Sequence, residues 1–88
     1  MIITWDEAKR LANIDKHGLD FAALTLEFFE SALVIPARTP RYKAVGVLNE
    51  RALVVVFRAA GARSRLDRLH AGSQQDREDI VQCAASKP

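Results

Sequence analysis

The sequence predicts an α+β domain, an N-terminal helical hairpin packed on a small antiparallel sheet. Two observations carry this prediction. In the first third, apolar residues recur at helical spacing, at Trp5, Ala8, Leu11 and Ile14 and again at Phe21, Leu24 and Phe28. From Ala32 onward the pattern changes to short β-branched runs separated by Pro and turn residues, the mark of strands. The 88 residues make one small domain with a thin core.

Met1 to Thr4 is a short apolar lead-in and a candidate first strand. Thr4-Trp5-Asp6-Glu7 has the capping-box pattern, which makes Thr4 the expected N-cap of the first helix. Gly18 stops that helix, and Lys16 and His17 fall in its last turn, where the helix dipole favours cations. Asp20 reads as the N-cap of a second helix, DFAALTLEFFES, joined to the first by a Gly-containing turn as a helical hairpin. Ala32 to Ile35 is a short strand ended by Pro36, and residues 36–41 form a basic, Pro-rich loop. Tyr42 to Leu48 is strand-like, Asn49-Glu50 is a tight turn, and Leu53 to Phe57 is the most hydrophobic stretch, suited to a central strand. The three runs predict an antiparallel meander. Residues 61–88 are polar, with no sustained period of two or 3.6, and read as a partly disordered tail with one helical turn. The folded core is therefore expected within residues 1–60.

Composition narrows the function classes. A net charge of +2 does not by itself argue for nucleic acid. No apolar run approaches the roughly 20 residues that span a bilayer, and the N-terminus lacks a signal peptide's apolar stretch, so a cytoplasmic protein is expected. The lone Cys83 leaves no internal disulfide and no cysteine zinc site, and His17 and His70 stand in unrelated segments, so no metal is expected. Neither a GxGxxG nor a GxxxxGK[ST] motif is present, and no cofactor is expected.

What remains is a scatter of basic groups: Lys16 and His17 at a helix end, Arg38, Arg41 and Lys43 near one strand, Arg58 at the end of the hydrophobic strand, then Arg63, Arg65 and Arg68. Such a set suits phosphate contact and stabilisation of transition-state charge. It equally suits a solvated face, with His17 merely complementing a helix dipole. Catalysis, a protein-binding module and a nucleic-acid binder without chemistry all stay open on spacing alone.

The residues then carry a resemblance. Trp5, Glu7 and Lys9 match a W-x-E-x-K motif, and Asn13, Lys16, His17, Gly18 and Phe21 match N-x-x-K-H-G followed by an aromatic. Arg41, Gly46 and the Val-rich run Leu53 to Phe57 match the continuation. Over about residues 1–60 the chain resembles the BrnT-type toxins of bacterial type II toxin–antitoxin pairs. The resemblance implies a RelE-like fold and a small, metal-independent ribonuclease that blocks translation. It also implies a BrnA-type antitoxin with a ribbon-helix-helix end that neutralises the toxin, with operator DNA met only through that antitoxin. Carried over, Lys16, His17, Arg41 and Arg58 are the candidate active surface, with Glu27 and Glu30 as weaker candidates. Glu7 and Lys9 read as a capping and surface pair.

Beyond residue 60 the chain departs from the family, which continues with a fourth strand, roughly I-S-x-R-x-A-S, and then a helix. Codons permitted for Arg65 to His70, read one base later, spell Val-Ser-Ile-Ala-Ser-Met, which suggests a frameshift near residues 61–65. On this reading the family's last strand and helix are lost and the toxin is attenuated. The bare edge of the Val-rich strand would then invite a homodimer, or a tail strand from Ser64 to Leu69 would partly replace the lost one.

Overall fold

The computed structural model describes residues 2–85, with side chains to residue 82. Strand β1 (Ile2–Trp5) leads into helix α1 (Glu7–His17), a single 3-10 turn (Phe21–Ala23) and helix α2 (Leu26–Ser31). Strands β2 (Leu33–Pro36), β3 (Arg41–Leu48), β4 (Arg51–Ala60) and β5 (Arg63–Ala71) follow, and helix α3 (Gln74–Ala85) ends the chain. The five strands form one mixed sheet in the order β1-β5-β4-β3-β2. β1 is parallel to β5, and the other pairs are antiparallel.

The meander of β2, β3 and β4 forms as its local pattern predicts. Asn49 and Glu50 both take positive φ, 50° and 66°, the conformation that a two-residue hairpin turn needs. Gly18 ends α1 in the left-handed conformation, its N–H donating to the Ile14 carbonyl. The start of α1 differs from expectation. Thr4 and Trp5 are drawn into β1 against Arg65 and Leu66, so Asp6 is the N-cap and its carboxylate accepts from the N–H groups of Ala8 and Lys9.

The expected second helix is split, so the helical hairpin is not continuous. Asp20 caps only the 3-10 turn, Leu24 is extended, and the Thr25 hydroxyl caps α2 by accepting from the Phe28 N–H. The split sends Phe21, Leu24, Phe28 and Phe29 into one core with Ala44, Leu53, Val55, Phe57, Leu66 and Leu69. Gly46 lets α2 approach the sheet, since a Cβ there would stand 2.8 Å from the Phe28 ring.

The tail expectation is corrected. Residues 63–71 are a strand enclosed between β1 and β4, and Leu66 and Leu69 are 0% and 1% exposed. β4 therefore has no free edge, and the premise of edge-to-edge dimerisation falls with it. β5 covers the tail strand expected as the alternative over Ser64 to Leu69, whose pattern is obscured because Asp67 is an extra residue in the β4–β5 ladder: Phe57 faces Leu66, and Val56 faces Arg68. This bulge moves the buried positions to 64, 66 and 69, which breaks the period of two. Helix α3 replaces the expected single turn. Ser73 and Asp76 cap it reciprocally, as the Ser73-Gln74-Gln75-Asp76 spacing could have signalled. The part of the tail expectation that falls on residues 86–88 lies outside the described residues.

β1 pairs with β5 only as far as Leu66, which leaves the Leu69 backbone without a strand neighbour on that side. Asn13 of α1 takes the place of one. Its Oδ1 accepts from the Leu69 N–H at 3.0 Å, and its Nδ2 donates to the Leu69 carbonyl at 2.9 Å and to the Leu19 carbonyl at 2.9 Å. Asn13→Ala orphans a buried donor and acceptor, and is expected to cost about 2–4 kcal/mol in urea unfolding. A loss below about 0.5 kcal/mol, the range of an ordinary surface substitution, would show that water replaces the amide.

Candidate active site

Alternation along the strands sorts the sheet into two faces. Leu53, Val55 and Phe57 of β4 face the aromatic core, so Val54 and Arg58 point to the other side. There Arg58 stands opposite Arg41 on β3 and opposite Arg65 on β5. Helix α3 packs against β3 and β4, with Asp76 at 4.0 Å from Lys43. Arg65 is drawn aside to Asp6 at 3.7 Å.

At the centre lies Asp67, whose side chain is only 9% exposed. Its Oδ1 accepts from Lys9 Nζ at 2.7 Å, and its Oδ2 accepts from both Arg41 Nε and Arg58 Nε at 3.1 Å. Three elements thus converge on one carboxylate. Burial pushes the Asp67 carboxyl up, but hydrogen bonds and charge from Lys9 and Arg58 outweigh it and hold the group below the usual carboxylate range.

One face of α1 completes the site. Lys9, Ala12, Asn13, Lys16 and His17 recur at helical spacing and line a cavity of about 370 Å³ with Asp67 and Arg68. The His17 and His70 rings lie 6.0 Å apart. Desolvation lowers the His17 pKa from its ordinary value, and the neighbouring charges of Lys16, His70 and Arg68 lower it further. A neutral imidazole at a cationic wall is poised to accept a proton.

The structure brings four of the expected site residues to this side of the molecule: Lys16 and His17 in the cavity wall, Arg41 and Arg58 on its central carboxylate. It does not bring Glu27 and Glu30 there. Both are exposed on α2, which packs on the core face of the sheet. Lys9 belongs to the site rather than to a surface pair, while Glu7 turns to Arg10 and Trp5. Sequence reasoning missed Asp67 altogether, because it sits 58 residues from Lys9 in a stretch without visible period. Among the described residues no group of three His, Cys, Asp or Glu side chains is placed to hold a metal ion, and no helix is long and apolar enough to cross a membrane.

A small α+β domain with a basic, carboxylate-centred cavity fits a protein that handles a polyanion, and comparison with known proteins defines the class. The model of the BrnT ribonuclease toxins of type II toxin–antitoxin systems matches residues 5–66, and the chain belongs to that family. It is similar to the ribonuclease toxin BrnT of Brucella abortus, known from a crystal structure. The identity is 43% over 84% of this chain and 99% of that one, with a TM-score of 0.79. No curated protein sequence matches the chain.

Proposed function

We propose that the chain cuts RNA without a metal ion, by attack of a ribose 2′-hydroxyl on the adjacent phosphodiester, and so arrests translation. The observation that carries this reading is the gathering of Lys9, Arg41 and Arg58 on Asp67, which lines the same cavity as the lowered-pKa imidazole of His17. His17 takes the proton of the 2′-hydroxyl. As the 2′-oxygen bonds to phosphorus, charge builds on the non-bridging oxygens, and the Arg41 and Arg58 guanidiniums stabilise it. The bond to the 5′-oxygen then breaks, and the Lys16 ammonium on the same cavity wall supplies its proton. The products are a 2′,3′-cyclic phosphate and a 5′-hydroxyl. A BrnA-type antitoxin neutralises the toxin in the cytoplasm, and operator DNA is met only through that antitoxin. The expected attenuation rested on a missing last strand, and residues 63–71 form a strand between β1 and β4.

The test is cleavage of a defined RNA in excess chelator, with the product ends identified. Cleavage to cyclic-phosphate ends is expected, as is growth arrest on expression that is relieved by the co-expressed antitoxin. A requirement for divalent ions, or 5′-phosphate products, would overturn the mechanism. Absence of any cleavage would favour a non-enzymatic interaction module.

The rate carries a pH signature. The base must be neutral, and burial together with Lys16, His70 and Arg68 holds His17 below the ordinary 6.5. The base is therefore fully available at neutral pH, and the acid limb of the rate falls as pH drops through that lowered value. His17→Ala is expected to lose about 10²–10⁴ in rate and to abolish this acid limb. An unchanged limb in the variant would assign the base elsewhere.

A further inference from the structure

Asp67 lies one residue beyond the stretch matched to the family model. Resting on the ribonuclease reading above, we infer that Asp67 is a positioning residue that gathers Lys9, Arg41 and Arg58 into a single fork for a phosphodiester.

Arg41 and Arg58 are directly opposed across β3 and β4. Like charges so placed repel, and without a counter-charge the two side chains would splay into solvent. The bulge solves this locally. It places one extra residue between Leu66, which faces Phe57, and Arg68, which faces Val56, and aims its carboxylate at the arginine pair. Burial differs across the cluster: the Asp67 side chain is 9% exposed, while Arg41 and Arg58 are 41% and 43% exposed. The carboxylate lies beneath and the guanidiniums lie above it.

The bonding pattern leaves room for a second anion. Both guanidiniums donate to Asp67 through Nε alone, and among the described residues their Nη nitrogens meet no acceptor, which leaves them available for a phosphate. A phosphate therefore binds over Asp67 without displacing it. Three cations and one carboxylate, 3 − 1, leave a local charge of +2. That charge complements the doubly charged phosphorane better than the singly charged phosphodiester. An unbalanced set of three cations would tighten ground-state binding as well.

The test uses Asp67→Asn and Asp67→Glu in the full chain. The Nε–Hε signals of Arg41 and Arg58 in proton–nitrogen spectra, assigned with Arg41→Lys and Arg58→Lys, should both move or broaden away in Asp67→Asn. An oligodeoxynucleotide, which lacks the attacking hydroxyl, should bind that variant as tightly as the unaltered protein or more tightly. Cleavage of the matching RNA should fall at least about tenfold, since the guanidiniums are no longer held in place. Asp67→Glu, which restores the charge on a longer stem, should recover part of the rate. An equal or faster rate in Asp67→Asn would overturn the inference and make the carboxylate a brake. Weaker oligodeoxynucleotide binding with a lowered melting temperature would overturn it in favour of a purely structural role. Should the unaltered chain cut no RNA, the ribonuclease reading fails by itself. The arginine signals and the oligodeoxynucleotide still decide the inference, because unchanged signals in Asp67→Asn overturn it.

Discussion

A chain ending at Ala60 is expected not to fold. The truncation removes β5, which lies between β1 and β4, and with it Leu66 and Leu69 of the central core. Each buried leucine is worth about 2–5 kcal/mol by comparison with truncation to alanine, and the whole stability of a small domain is about 5–15 kcal/mol. The loss goes further than two side chains. Among the described residues β1 has no other partner strand, Asn13 loses the Leu69 backbone that it pairs, and Lys9, Arg41 and Arg58 lose their shared carboxylate. The long edge of β4 would also be bared to other chains. Thermal unfolding followed by circular dichroism should show no cooperative transition in the truncated chain, and scattering should show association. A cooperative melt would mean that β1 to β4 with the two helices are self-sufficient, so that β5 is an addition to a complete domain.

Arg41→Ala and Arg58→Ala are each expected to lower RNA cleavage by about 10²–10³, the loss seen when one donor to a developing oxyanion is removed. Both side chains are over 40% exposed, so the cost in stability is small, within about 1 kcal/mol. The two measurements together separate chemistry from folding: single-turnover cleavage should collapse while the melting temperature barely moves. Arg41→Lys and Arg58→Lys keep the charge and lose the planar fork, and should fall between the unaltered protein and the alanine variants. The double alanine variant should lose less than the product of the single losses, because the two guanidiniums serve one phosphate. Cleavage within about threefold of the unaltered rate in either alanine variant would move the phosphate site away from this cluster.

The site was legible in the sequence only in part. His17 and Lys16 stood out because a helix stop at Gly18 places them in a last turn, a local pattern that needs no partner. Arg41 and Arg58 were visible as residue types, but their opposition across β3 and β4 depends on strand register. Glu27 and Glu30, the weaker candidates, lie on the other layer, because Phe28 and Phe29 of the same short helix turn it toward the core face. Lys9 looked like surface, and it is the carboxylate of Asp67, far along the chain, that makes it part of the site.

By itself, then, the sequence determined whatever is decided within a few residues. The 3.6-residue period and the αL glycine set α1, and the apolar runs with the Asn49-Glu50 turn set the meander of β2, β3 and β4. The tertiary structure alone decided the place of β5 between β1 and β4, the parallel pairing of β1 and the convergence of charge on Asp67. The physical reason is the bulge. It breaks the alternation that marks a strand in sequence, and only the neighbours that enclose β5 restore the pattern of buried and exposed positions.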